Sequence, residues 1–196
     1  CHYFIKNNGD IIKIVPESYI AWHAGKSSWG NYKSLNRYSV GVEIANPGHE
    51  FNYKYFTKKQ IISILKLSHY LIRKYKINIK NILGHSDVAP ERKKDPGEKF
   101  PWKYLSKNKI GLWHTLNKQE LTKNRKLKIS KIEKKLFFNN LFKIGYPKKI
   151  PKYLNEGRYL RDLTKAFQRR FRQELTDGKI DRESLLISKN LFKKFN

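Results

Sequence analysis

The chain has 196 residues and a formal net charge of +27, with 39% hydrophobic and 14% aromatic residues. That length accommodates one domain and a small second one, and the apolar content is enough for a packed core. The charge excludes strongly cationic partners and points to anionic ones: nucleic acid, acidic lipid or an anionic wall polymer. No apolar run approaches the roughly 18 residues of a membrane span. A single cysteine excludes an internal disulfide.

The first fifteen residues read as a hairpin. His2-Tyr3-Phe4-Ile5 is a short strand, Asn7-Asn8-Gly9-Asp10 a turn, and Ile11 to Val15 a second strand. A chain that opens inside a sheet strand, with Cys1 in front of it, is expected to be an N-terminally truncated piece. Residues 21–36 form a loop holding Trp22, His23, Trp29 and Asn36. The two indoles either pack the loop onto the sheet or stack on a sugar ring. Tyr38 to Asn46 alternates as a strand, with Glu43 the one carboxylate in an apolar stretch. Such a group must be paired, exposed or shifted in pKa.

Thr57 and Gln60 have the spacing of a capping box. The helix they start runs to about Tyr75, with Ile61, Ile64, Leu65, Ser68, Leu71 and Ile72 on one face and His69 at the surface. Ile77 to Leu83 reads as a strand entering Gly84-His-Ser-Asp-Val-Ala-Pro-Glu-Arg-Lys-Lys-Asp-Pro-Gly97. In that loop an imidazole (His85) and a carboxylate (Asp95) are two of the three protein ligands an open zinc site requires. The Pro and Gly turns let both reach one ion. Both donor types suit zinc without excluding other divalent ions.

Beyond Trp113, residues 118–135 carry eight Lys or Arg against two Glu, and 116–130 is expected to be a basic linker. Helical spacing follows at 132–144, 160–171 and 185–195, with Asp181 as the N-cap of the last. The expected fold class is α/β: a mixed central β-sheet covered by helices over 1–115, then a small three-helix bundle over 131–196.

Four strings in order, AWHAG, SVGVE, GHSDVAP and K-x-DPG, resemble the type 2 N-acetylmuramoyl-L-alanine amidases, which share a fold with peptidoglycan recognition proteins. The C-terminal strings IGY, KAFQRRFR and TDGKID resemble the type 1 peptidoglycan-binding domain. The resemblance implies zinc-dependent hydrolysis of the amide between N-acetylmuramic acid and L-alanine. It implies zinc ligation by His85 and Asp95, Glu43 as general base and Lys93 as the cation beside the oxyanion. Trp22, His23, Asn36 and the cleft-lining His2 would face the muramyl-peptide. The family's first zinc histidine lies on a strand upstream of His2, so this sequence supplies two of the three ligands. The alternative is a recognition protein of the same fold without catalysis. Peptidoglycan is the expected partner, nucleic acid is not, a monomer is favoured, and the expected location is the bacterial envelope, in the periplasm or at the outer membrane, with the cytoplasm as the alternative.

Overall fold

The computed structural model describes residues 1–195. At its centre β1 (Tyr3–Ile5) pairs antiparallel with β2 (Ile11–Lys13) and parallel with β5 (Val42–Ile44). The β1–β2 turn is closed by Lys6 N–H donating to the Asp10 carbonyl, with Gly9 at φ +90°. A parallel partner requires a crossover. Residues 14–41 provide it, with a two-stranded ribbon, β3 (Ser28–Trp29) and β4 (Tyr32–Lys33), and a 3-10 turn at Leu35–Arg37.

Strand alternation sorts the two faces. Tyr3 and Ile5 are buried with Ile64, Leu67 and Leu71 of α1 (Lys58–Tyr75). His2 and Phe4 therefore point to the other face. Glu43 lies opposite Phe4 in the parallel register and shares that face. The capping box of α1 is present: Thr57 Oγ1 accepts from Gln60 N–H at 3.1 Å, and Gln60 Oε1 accepts from Thr57 N–H at 2.9 Å. Leu67 is buried and Ser68 only half-buried, so the stripe centres one residue from its expected line.

The expected strand at Ile77–Leu83 does not form. Asn78 Oδ1 accepts from Lys80 N–H at 3.0 Å and caps a 3-10 turn at Ile79–Asn81. A short polar side chain bonding its own backbone competes with ladder formation. The expected strand at Tyr38–Asn46 shortens to Val42–Ile44.

The three expected C-terminal helices are present as α5 (Lys131–Ile144), α6 (Glu156–Phe171) and α7 (Arg182–Phe195). Asp181 caps α7, its Oδ1 accepting from Ser184 N–H at 2.9 Å. On α5 the buried residues are Phe137, Asn140, Leu141 and Ile144, while Ile132 is 80% exposed. Two short helices precede them, α2 (His85–Val88) and α3 (Trp102–Lys107). Residues 118–124, within the expected basic linker, form α4 (Lys118–Asn124). Its Leu121 is buried, and Arg125 just beyond it donates to Glu183 at 2.7 Å and Glu174 at 2.8 Å.

The helical core of Phe137, Leu141, Leu163, Phe167 and Leu191 also takes in Trp29, Leu35 and Val88 from the first half. Trp113 packs against this core and against the sheet core alike. The two halves are thus packed into one body around the residues that follow.

Candidate active site

Gly84 and α2 present His85 at the start of the loop. Ser86 N–H donates to the Asp95 carbonyl at 2.9 Å, which folds the loop back on itself as the two turns require. His85 Nδ1 then lies 3.0 Å from Asp95 Oδ2, and its Nε2 lies 3.2 Å from the Ala24 carbonyl. Both partners are acceptors, and a neutral imidazole can donate to only one. Burial raises the Asp95 pKa, and the His85 hydrogen bond and charge, with the charge of Lys93, together outweigh it. The net shift is downward, so the carboxylate stays ionised.

This donor pair fits zinc in kind. In number it is one short of an open catalytic site. Among the described residues no group of three or more His, Cys, Asp and Glu converges on a point.

The wall opposite His85 is the loop at residues 21–26. Arg92 ties the two together: its guanidinium donates to the Ala24 carbonyl and to the Lys26 carbonyl, the latter at 2.7 Å. Gly25 lies at φ +57°, and a Cβ there would press on that guanidinium. Its left-handed backbone and the close approach both call for glycine.

His23 sits in this wall, with Nδ1 2.9 Å from the Ala21 carbonyl and Nε2 3.0 Å from Ser39 Oγ. Burial, reinforced by the nearby His2 and His85, lowers its pKa against the raising effect of the Ala21 bond. The ring is therefore neutral at pH 7. Trp22 is 86% exposed beside it, free to take a flat ligand face. Trp29, by contrast, is buried edge-on against Tyr146, so of the two indoles one packs and one stays open.

Two of the expected substrate contacts, Asn36 and His2, are buried. Asn36 is buried, and its Oδ1 accepts from His23 N–H at 3.0 Å and Ala24 N–H at 2.7 Å. It holds the wall from behind, supplying the acceptor that this irregular backbone lacks. His2 is 1% exposed; Gly41 N–H donates to its Nδ1 at 3.0 Å, and its Nε2–H donates to the Tyr19 carbonyl at 3.1 Å. Both its nitrogens are engaged, and its ring meets that of His23 at 5.4 Å. Glu43 stands exposed on the same sheet face as His2. Lys93 is half-buried beside Asp95, its backbone N–H donating to the Ala89 carbonyl at 3.0 Å.

Tyr53 was not singled out from sequence. Its hydroxyl donates to the Pro96 carbonyl at 2.6 Å and accepts from Lys99 N–H at 3.0 Å, fixing the turn just after Asp95. Gly97, at φ +85°, leaves room for that hydroxyl.

Comparison with known proteins bears on the same loops. A family model described as N-acetylmuramoyl-L-alanine amidase matches residues 1–98. The N-acetylmuramoyl-L-alanine amidase AmiD of Escherichia coli is 33% identical over 190 residues, covering 94% of this chain and 68% of AmiD. The 1,6-anhydro-N-acetylmuramyl-L-alanine amidase AmpD of Enterobacter cloacae is 36% identical over 98 residues, 50% of each chain. This chain thus spans about half the length of that relative. Among solved structures, the complex of E. coli AmiD with anhydro-N-acetylmuramic acid-L-Ala-D-gamma-Glu-L-Lys superposes with a TM-score of 0.85 at 30% identity, over 99% of this chain and 79% of that one. AmpDh3 of Pseudomonas aeruginosa gives 0.83 at 30% identity, over 99% and 82%. The AmiD and AmpDh3 likenesses run through the helical half as well as the sheet. This chain belongs to the N-acetylmuramoyl-L-alanine amidase family.

Proposed function

We propose that this chain cleaves the amide between N-acetylmuramic acid and L-alanine in peptidoglycan or its muropeptides, as a zinc hydrolase of the bacterial envelope. The observation that supports this most is the His85–Asp95 pair, brought to 3.0 Å in a loop that Arg92 locks against the His23 wall. His85 and Asp95 are two of the zinc ligands. When bound, zinc supplies Lewis acidity toward the scissile carbonyl and toward water.

The chain's own residues divide the remaining work. Glu43 accepts the proton of the attacking water and returns it to the leaving amine. Lys93 places a fixed ammonium where negative charge develops on the carbonyl oxygen. Trp22 offers its face to the sugar, and the neutral His23 ring forms the wall beside it. The helical half contributes wall binding, and the net charge of +27 suits the anionic polymer.

Glu43→Gln tests the assignment, with cleavage of an anhydromuramyl tripeptide followed by mass spectrometry. The proposal requires a loss of about 10²–10⁴-fold in kcat, the usual worth of a general base. An unchanged rate removes Glu43 from the mechanism. The alternative is recognition of peptidoglycan without catalysis. Binding of sacculi with no cleavage at saturating zinc would select that reading.

A further inference from the structure

Arg170 belongs to α6, yet its guanidinium is buried beneath the His85 loop. Nη1 donates to Asp87 Oδ2 at 2.5 Å and Nη2 to the Ile82 carbonyl at 2.9 Å. The guanidinium also lies over the Trp102 indole, 4.1 Å from its centroid. Asp87 is 1% exposed and draws donors from three places. Gly84 N–H reaches Oδ2 at 2.8 Å, and the Tyr146 hydroxyl, just past the end of α5, reaches Oδ1 at 2.8 Å. Arg170 is the third. Ile82 lies three residues before His85 and Asp87 two after it, so the ligand histidine is clamped on both sides by the helical half.

This clamp sets direction for two physical reasons. A four-residue helix has no stability of its own, so α2 must take its orientation from what it packs on. A buried ion pair, for its part, is weak evidence for stability, because desolvation offsets attraction. Arg170 is not fully satisfied either: its buried Nε lacks a hydrogen-bond partner. Just past the end of α6, Gln173 Nε2 donates to the Phe100 carbonyl at 2.6 Å, three residues beyond the loop.

We propose that Arg170 and Tyr146 are positioning residues: acting through Asp87, they set the direction of the His85 ring. The helical half is then part of the catalytic apparatus as well as any wall-binding surface. This rests on reading His85 as the ligand histidine of the site.

The test compares amide hydrogen exchange and steady-state kinetics in the wild-type chain, Tyr146→Phe and Arg170→Lys. The control is Ile187→Val, which trims a buried residue of the same helical core away from Asp87. In both positioning variants, exchange at Gly84, Ser86, Asp87 and Ala89 should rise about tenfold or more, while β1 and α1 amides stay within about twofold. On the anhydromuramyl tripeptide, kcat should fall about tenfold or more with KM nearly unchanged, since sub-ångström misplacement acts on the chemical step. Ile187→Val should alter helical amides and leave the loop and kcat alone. Loop exchange unchanged in both positioning variants overturns the proposal, as does acceleration shared equally by loop and sheet. A wild-type chain inert toward the tripeptide refutes the amidase reading alone, and the exchange data still decide whether Arg170 and Tyr146 order the loop.

Discussion

Asn36→Ala separates a residue that holds the wall from one that touches substrate. The Asn36 side-chain oxygen is the acceptor for two backbone donors, His23 N–H at 3.0 Å and Ala24 N–H at 2.7 Å. Truncation leaves both donors without it, the Ala24 amide in a buried position. Each unsatisfied buried donor costs about 1–3 kcal/mol, so the sum is about 3 kcal/mol when solvent relieves part of the His23 loss. For a chain of this size that lowers Tm by about 6–12 °C. Calorimetry on Asn36→Ala and Asn36→Asp measures it; the aspartate keeps an acceptor oxygen and should recover much of the loss. Activity falls in the alanine variant because His23 and the Ala24 carbonyl, a partner of His85, lose their support. A Tm within about 1 °C of wild type, with KM alone raised, would refute this reasoning and return Asn36 to the substrate cleft.

Trp22→Ala should leave Tm within about 2 °C, because the indole is 86% exposed, while raising KM for muramyl substrates; an unchanged KM would remove it from the binding surface. Tyr53→Phe deletes the hydroxyl that fixes the Pro96 carbonyl, costing about 1–2 kcal/mol of stability and lowering zinc affinity by loosening Asp95; calorimetry and zinc titration check the pair. His114 supplies a pH dependence. Burial, helped by the charge of Lys103, lowers its pKa to about 4 against the raising effect of the Phe171 backbone bond. Its folded value lies below the unfolded one of about 6.5, so the stability tied to the neutral ring is intact above pH 6.5 and is lost as pH falls toward 4. The loss is about 3 kcal/mol at pH 4. His114→Phe should therefore show a smaller fall in stability between pH 7 and pH 4 than wild type, by about that amount; parallel curves would contradict it.

What could be read from the sequence was local or motif-borne. Thr57 and Gln60 bond each other across three residues, so their spacing alone announces the start of α1. The loop from Gly84 to Gly97 carries its own turns, and His85 and Asp95 meet as that string suggests. Contacts distant in sequence left no such mark. Asp87 and Arg170 are 83 residues apart, and nothing in the spacing of either pairs them. In the sequence Arg170 is one cation among 43 Lys and Arg. Asn36 and His2 are expected at the substrate by resemblance alone, and sequence gives no sign that the irregular backbone around them also draws on their acceptors and donors. Alternation offered one usable signal, because it puts His2 on the face opposite Tyr3, toward the His23 wall. The strand expected at Ile77–Leu83 failed because Asn78 caps a turn there, a competition that apolar periodicity does not register.

We propose above that the His85–Asp95 loop is the metal centre of an amidase. It is tested most directly by following release of the L-alanyl peptide from an anhydromuramyl tripeptide. The assays would use chelator-treated chain, the same chain with zinc restored, and His85→Ala. Cleavage should be lost on chelation, return with zinc and be absent from His85→Ala. Cleavage that survives both chelation and His85→Ala would contradict it.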